Sequence, residues 1–215
     1  MLGTSISKNS LLLGFFALVT AAVLASTNLA TRDRITAAER EAAERALFEL
    51  VPQERIDNDL LHDTLAAPQA MWAALGLQVP TTIYRARRDG EVIAVIVTAV
   101  APDGYSGDIR LLVGVNRDGT VAGTRTLSHK ETPGLGDKIE LNKSNWMLSF
   151  DGLRLGEPPV EDWRVKKDGG IFDQFTGATI TPRAVVAQVR RVLEQVEIHH
   201  AQLFESTDTA GEIHE

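Results

Sequence analysis

The sequence predicts an α+β fold, in which one membrane-spanning helix precedes a single folded domain built from an antiparallel sheet and flanking helices. Three observations predict it: a charge-free apolar run near the N-terminus, four β-rich runs paired around Asp-Gly turns, and an amphipathic stretch near the C-terminus. Because the strands come before the helices without strict alternation, a parallel α/β sheet is not expected. The 215 residues leave room for one sizeable domain besides the anchor.

The N-terminal run is uncharged and apolar over residues 9–31, which is long enough to cross a bilayer as a helix. We therefore expect a short tail at 1–8 and a transmembrane anchor at 9–31. A cleaved signal peptide is the alternative, since Val23 and Ala25 occupy acceptable positions before a cleavage site. The flanking charges, Lys8 against four arginines, slightly favour a cytoplasmic domain when taken alone.

A juxtamembrane helical segment is predicted for residues 32–80. The spacing of Thr36 and Glu39 is typical of a capping box, and an apolar stripe follows until the helix stops at Pro52. A second, shorter helical piece is expected over residues 71–75.

The main domain, predicted for residues 81–205, opens with two β-hairpins. Residues 82–87 and 91–100 flank one Asp-Gly turn, and residues 109–115 and 121–127 flank another. Four antiparallel strands are therefore expected.

Two helices are predicted after the strands. The first covers residues 142–149. The second has Thr181 as its N-cap and Pro182 as its first helical residue, and an apolar stripe continues along it to Val196. Residues 206–215 are predicted to form a flexible acidic tail.

Composition excludes several classes of function. The 29 acidic residues outnumber the 22 basic ones, and all of them follow Thr31, so the basic surface of a nucleic-acid-binding protein is missing. The chain has no cysteine, which excludes disulfides, iron–sulfur clusters, thiolate zinc sites and c-type haem. His199 and His200 are adjacent and point about 100° apart on a helix, so no metal site is expected there.

The first candidate site is the hydroxyl-rich turn before the last helix. It contains three threonines, a glycine and an alanine: Thr176, Gly177, Ala178, Thr179 and Thr181. A helix N-terminus presents unpaired N–H groups and the positive end of the helix dipole, which together favour a phosphate. The glycine permits close approach of the backbone. The alternative is a capped helix with a purely structural role.

The second candidate site is the loop at residues 128–136, after the fourth predicted strand. Its polar groups can bond the edge of a ring, its Pro-Gly turn is rigid, and Leu135 can cover an aromatic face. An ordinary surface loop is the alternative.

The turn before the last helix resembles a known motif. Thr176-Gly-Ala-Thr179, with Asp173 before it and Thr181 after it, is similar to the flavinylation motif of the FMN-binding domain. That domain is shared by the G subunit of Rnf (Rsx) electron-transport complexes and the C subunit of sodium-pumping NADH:quinone reductase. Thr176 replaces a commoner serine and keeps the hydroxyl.

Other segments resemble the same domain, so that the resemblance covers roughly residues 80–200. They are the loop at 129–136, the segment at 105–107 and the strand at 113–115. The chain length and the context at residues 143–146 favour the G subunit of an Rnf-type complex.

The resemblance implies an electron-carrying flavoprotein subunit of an ion-translocating complex linked to ferredoxin and NAD. It implies FMN attached through its phosphate to Thr179 by a separate flavin transferase that uses FAD. Partners would be the other subunits, and the location would be the bacterial cytoplasmic (inner) membrane, with one span and a periplasmic domain. The other implied cofactor-binding residues are Tyr105, His129, Glu131, Thr132, Leu135, Gly136, Thr176, Gly177, Ala178 and Thr181.

The chemistry of Thr179 agrees with an external transferase. A threonine hydroxyl is a weak nucleophile, and no histidine or lysine adjoins it in sequence, so self-modification is not expected. Two alternatives stay open. One is the quinone-reductase subunit or another membrane-linked FMN domain, and the other is an anchored interaction module without flavin.

Overall fold

The structure is a computed structural model that describes residues 2–205, apart from the side chains of several positions before Glu44. The predicted acidic tail at 206–215 lies outside the described residues. The chain divides into two compact units, one ending at Ala43 and one beginning at Glu44.

The first helix, α1, runs Leu2–Leu50. By length and composition its stretch Ser10–Ile35 is able to span a membrane, and none of its most apolar window is buried. The side chains of Phe15 and Phe16 are each 68% exposed. Such exposure of large apolar groups is expected of side chains that face lipid.

The capping box predicted at Thr36 and Glu39 does not start a helix. The backbone is already helical there, so the N–H groups that a cap would satisfy belong to the interior of α1. The predicted end before Pro52 is confirmed, since α1 stops at Leu50.

A five-stranded antiparallel sheet is the centre of the second unit. In order across the sheet its strands are β1 (Thr64–Ala66), β2 (Thr82–Arg88), β3 (Glu91–Ala101), β4 (Ile109–Asn116) and β5 (Val121–Ser128). The four predicted strands are confirmed, but the expected total of four is wrong. The edge strand β1 has three residues, too few to show a period-two pattern.

The Asp-Gly turns have the conformation that their residue types favour. Asp89 and Gly90 have φ angles of 54° and 80°, and Gly119 has a φ of 82°. Positive φ at both central residues matches the right-handed twist of the strands that they join, which explains the tight β2–β3 hairpin.

Both faces of the sheet are covered. One face packs against α3 (Ile180–Ile198), α4 (His200–Phe204) and a group of buried aromatic rings. The opposite face packs against Leu47 and Leu50 at the end of α1. Successive side chains of a strand point to opposite faces. Since both faces are covered, β3 is buried along almost its whole length.

A pair of glycines makes room for Leu50 on that second face. Gly114 of β4 lies directly opposite Gly123 of β5. A Cβ atom added at Gly123 would lie 2.9 Å from the Cδ2 of Leu50, and one added at Gly114 would lie 3.6 Å from its Cβ. The leucine therefore fills a notch that side chains would close. Residues before 81 are thus part of the packed unit.

The connections contain short helices. They are α2 (Gln69–Trp72) and the 3-10 helices Gln53–Arg55, Asp137–Ile139, Asn145–Phe150, Val160–Asp162 and Lys166–Asp168. The helix predicted over 142–149 is therefore a 3-10 helix that begins later. Ser144 sets its start, since the Ser144 hydroxyl accepts a hydrogen bond from the N–H of Trp146 at 3.0 Å.

The last long helix begins two residues earlier than predicted. Its N-cap is Thr179 and its first residue is Ile180. Thr181 is not the cap, because its buried hydroxyl donates instead to the carboxylate of Glu131. Pro182 is still tolerated, since N–H groups in a first turn have no intrahelical partner. The predicted apolar stripe is confirmed by buried valines up to Val196.

Candidate functional site

A cavity of about 320 Å³ lies where three loops meet, at the N-terminal end of α3. The loops are the one before α3, the one after β5 and the one between β3 and β4. The cavity is lined by Tyr105, Glu131, Thr132, Leu135, Gly136, Gly177, Ala178, Thr179, Ile180 and Thr181. The two candidate sites predicted from the sequence therefore line the same cavity. Its volume is at the small end of the range for ligand sites.

Nine of the eleven predicted site residues line this cavity. Thr176 and His129 do not: Thr176 is exposed in the turn beside it. Ile180 lines the cavity although it was not predicted, because an apolar residue in a helix gives no chemical signal in sequence.

His129 lies outside the cavity and stabilises the loop that follows β5. Its Nδ1 accepts a hydrogen bond from the N–H of Glu131 at 3.0 Å, so the neutral ring carries its proton on Nε2. Nε2 lies 3.0 Å from the Oε1 of Glu140 and donates to it. The ring therefore ties the loop to the segment that follows it.

The turn before Thr179 is anchored by aromatic packing. Gly177 has a φ of 80°, and the N–H of Ala178 donates to the carbonyl of Phe175 at 3.1 Å. The buried Phe175 ring meets Trp146 edge to face, with centroids 5.1 Å apart. The indole of Trp146 donates to the carbonyl of Asp173 at 2.8 Å, so both ends of the turn are held.

Thr179 occupies the N-cap of α3 and is half-buried at the cavity wall. Its carbonyl accepts from the N–H of Arg183 at 3.3 Å, but its hydroxyl makes no capping hydrogen bond with any described residue. The first N–H groups of the helix have no intrahelical partner and form the positive end of its dipole. An anionic group beside Thr179 would be stabilised there.

Glu131 is a buried carboxylate at this site, with 4% of its surface exposed. Its Oε1 accepts from the N–H of Ser106 at 2.9 Å, and its Oε2 accepts from the hydroxyl of Thr181. Gly136 permits this arrangement, because an added Cβ would lie 2.8 Å from the Thr181 hydroxyl oxygen and 2.9 Å from Glu131.

Ion pairs join the loop before the site to α3. The guanidinium of Arg183 donates to both carboxylate oxygens of Asp168. These hydrogen bonds lower the pKa of Asp168 and raise that of Arg183. The Nζ of Lys166 lies 2.7 Å from the Oδ1 of Asp173. Arg183 and Lys166 therefore each have an acidic partner already.

A larger cavity, of about 440 Å³, lies near the C-terminal end of α3. It is lined by residues of the β4–β5 turn, of residues 154–157 and of the helices, and Arg154 at its rim pairs with Glu157 at 2.9 Å. None of the predicted site residues lines it. We therefore assign the site to the smaller cavity, where hydroxyls and a helix N-terminus converge.

Comparison with known proteins decides the family. Residues 104–194 match the FMN-binding domain, and residues 1–50 match the RnfG N-terminal region. The G subunit of the ion-translocating oxidoreductase complex of Pseudomonas aeruginosa (strain UCBPP-PA14) is 49% identical over 207 residues, 96% of each chain. The chain belongs to the family of these G subunits. The identification made from the motifs is confirmed.

Two further G subunits of ion-translocating oxidoreductase complexes extend the comparison. The protein of Shewanella amazonensis is 49% identical over 200 residues, which cover 93% of this chain and 92% of its own. The protein of Vibrio cholerae (strain O395) is 45% identical over 200 residues, 93% of this chain and 94% of its own.

The matched regions of the chain agree with its structure. The RnfG N-terminal region ends at residue 50, where α1 ends. The FMN-binding match begins at residue 104 and ends within α3, so every residue that lines the smaller cavity lies inside it. The candidate site and the matched domain therefore coincide.

Proposed function

We propose that this chain is the FMN-carrying, electron-transferring subunit of a membrane-bound ion-translocating oxidoreductase complex linked to ferredoxin and NAD. We also propose that FMN is joined through its phosphate to the hydroxyl oxygen of Thr179. The family match and the names of the curated relatives support the first statement. The second is carried by one observation: Thr179 lines the cavity at the N-cap of α3, and its hydroxyl makes no capping hydrogen bond with the described residues.

The geometry favours Thr179 over its two neighbouring threonines. Thr181 is fully buried, and its hydroxyl is already committed to Glu131. Thr176 is exposed but does not line the cavity. Thr179 alone of the three combines partial exposure, a place in the cavity wall and a hydroxyl without a capping role.

The residues present fit an FMN. The first turn of α3 offers N–H groups and positive dipole to the phosphodiester. The cavity wall also has exposed apolar side chains against which a flat ring can pack. They are Tyr105, Leu135 and Ile180, which are 66%, 42% and 45% exposed. When bound, FMN supplies the electron transfer, while these residues supply position and environment.

We propose that a separate flavin transferase makes the bond. Among the described residues that line the cavity none is a histidine or a lysine, and the Glu131 carboxylate is held by Ser106 and Thr181. The Thr179 hydroxyl thus lacks a base to activate it. In the transferase, the Thr179 oxygen attacks FAD: the new O–P bond forms, the pyrophosphate bond breaks, AMP leaves, and the hydroxyl proton is lost.

The attachment is tested with three variants of the full chain, produced with the transferase. Thr179→Val keeps the side-chain shape without the hydroxyl and should carry no covalent flavin, whereas Thr179→Ser should still be labelled. Thr176→Val is the matched control at an exposed position of the same turn, and it should weaken labelling at most. The measurements are flavin fluorescence of denatured protein on a gel, and intact mass, which should rise by one FMN less one water.

Peptide mapping gives the contradicting outcomes. Flavin retained by Thr179→Val, or found on a peptide without residue 179, would refute the attachment. A wild-type protein from its native host that carries no flavin would instead support the anchored interaction module.

We further propose that α1 is retained as a single-pass anchor in the bacterial cytoplasmic membrane, with the domain on the periplasmic side and the other subunits as partners. The apolar stretch Ser10–Ile35 and the match to the RnfG N-terminal region support an anchor. An intact mass that includes residues 1–31 would separate it from a cleaved signal peptide.

The orientation has its own test. The chain has no cysteine, so Lys130→Cys in the exposed β5 loop gives one labelling site. An impermeant maleimide added to cells with a permeabilised outer membrane should label it. Labelling that appears only after the inner membrane is broken would place the domain in the cytoplasm.

A further inference from the structure

The buried carboxylate of Glu131 links three parts of the candidate site. It belongs to the loop after β5, and it accepts one hydrogen bond from Ser106 in the β3–β4 loop and one from Thr181 in α3. The resemblance implied that Glu131 contacts the cofactor. We propose instead that it is a positioning residue, which braces the first turn of α3 so that the Thr179 hydroxyl faces the cavity. This inference rests on the proposed attachment at Thr179.

The brace acts close to the attachment point. Thr181 lies two residues after Thr179 in the same helical turn, so a shift of Thr181 moves the N-cap with it. Gly136 packs against the brace with no room for a side chain, which keeps the carboxylate and the Thr181 hydroxyl together.

The loop that carries Glu131 is itself held from behind. The N–H of Glu131 donates to the Nδ1 of His129 at 3.0 Å, and the His129 Nε2 donates to Glu140 at 3.0 Å. Glu131 is therefore held at two points, since its backbone N–H bonds to His129, which bonds to Glu140, and its carboxylate bonds to Thr181. The backbone of Glu131 is thus fixed in position, and so is the starting point of its side chain.

The chemistry of the two donors explains why a carboxylate is used. A backbone N–H and a hydroxyl both point at the group, and a carboxylate accepts from both. Glutamine can still accept from Ser106, but its amide N–H forces the Thr181 hydroxyl to turn. Alanine leaves both donors without a partner. Attachment should therefore be fastest with glutamate, slower with glutamine and slowest with alanine.

The test measures the rate of FMN transfer onto the full chain in detergent by a purified flavin transferase with FAD. Glu131→Ala should lower kcat by roughly tenfold to a hundredfold, as expected when a reacting atom is misplaced, and Glu131→Gln by less. The KM for the carrier chain should not change, because the exposed turn around Thr176 is unaltered. Lys130→Ala, at the adjacent exposed position, should react like the wild type.

A double-mutant cycle separates positioning from general destabilisation. Thr181→Val removes the donor and keeps the shape, so it should slow transfer as well. If the two residues act through each other, Glu131→Ala combined with Thr181→Val should be no slower than the worse single variant. All rates are measured well below the melting temperature of each variant, with folding checked by circular dichroism.

Several results would overturn the proposal: an unchanged kcat for Glu131→Ala, an effect confined to KM, or rate losses that multiply in the double variant. Each presupposes that the wild type is labelled at Thr179. A wild type that is not labelled there refutes the proposed attachment itself, so the two failures are distinct.

Discussion

Replacing Gly136 with alanine should destabilise the domain, although alanine suits the backbone there. Gly136 has φ −86° and ψ −19°, which an alanine adopts without strain. A Gly-to-Ala change at a compatible position normally stabilises a protein by about 0.4–1 kcal/mol, because it restricts the unfolded chain. At Gly136 the new Cβ would lie 2.8 Å from the Thr181 hydroxyl oxygen and 2.9 Å from two atoms of Glu131. Whether Gly136→Ala raises or lowers the free energy of unfolding therefore shows how closely this loop packs on α3.

The expected loss follows from these contacts. Overpacking of a tight site costs about 1–3 kcal/mol. Pushing Thr181 away from Glu131 also weakens a hydrogen bond to a charged group, which contributes about 1.5–3 kcal/mol. We expect a net loss of about 3 kcal/mol in the free energy of unfolding. For a unit of this size the melting temperature should fall by roughly 6–12 °C.

The assay is thermal unfolding of the full chain in detergent, followed by tryptophan fluorescence. Lys130→Ala, an exposed change in the same loop, is the control and should stay within about 0.5 kcal/mol of the wild type. A melting temperature for Gly136→Ala equal to or above that of the wild type would refute the close packing of this loop on α3.

Two further predictions concern the rest of the unit. Leu50→Ala should lower the free energy of unfolding by about 2–5 kcal/mol, because Leu50 is only 2% exposed. The control is Leu13→Ala, at a position of the same helix that is 71% exposed, which should leave the melting temperature nearly unchanged. Equal effects of the two changes would contradict the packing of Leu50 on the sheet. The hydrogen bonds from Arg183 lower the pKa of Asp168, so their stabilisation is present above about pH 4 and is lost as the pH falls through that lowered pKa. Asp168→Asn should therefore melt lower than the wild type at pH 7 and equally in strong acid, and Arg183→Gln should behave in the same way; a difference that persists in acid would contradict this.

Local patterns were sufficient to predict most of the sheet. The Asp-Gly turns and the β-rich runs around them locate β2 to β5, because turn type and strand period are properties of neighbouring residues. The edge strand β1 was missed, since its three residues form a strand only by pairing with β2. The capping box at Thr36 wrongly predicted a helix start. Nothing in the sequence before Thr36 ends the preceding helix, so α1 continues through it.

The candidate site was predictable as two motifs but not as a geometry. The Thr-Gly-Ala-Thr turn and the loop at 129–136 are visible in sequence, yet their meeting at one cavity depends on the packing of α3 against the sheet. The start of α3 was misplaced because Thr181 followed by Pro182 is typical of an N-cap. A buried acceptor fifty residues away, Glu131, takes that hydroxyl instead, and sequence spacing cannot show such a partner.

The notch formed by Gly114 and Gly123 has a practical consequence for truncation. The recognisable FMN-binding region begins at residue 104, but a chain cut there, or at 81, would lose Leu50 and leave the notch open to water. Two glycines facing each other across strands would then expose backbone and apolar surface on one side of the sheet. A water-soluble fragment intended for crystallisation or spectroscopy should start no later than Glu44, so that it retains the last turns of α1 as a plug.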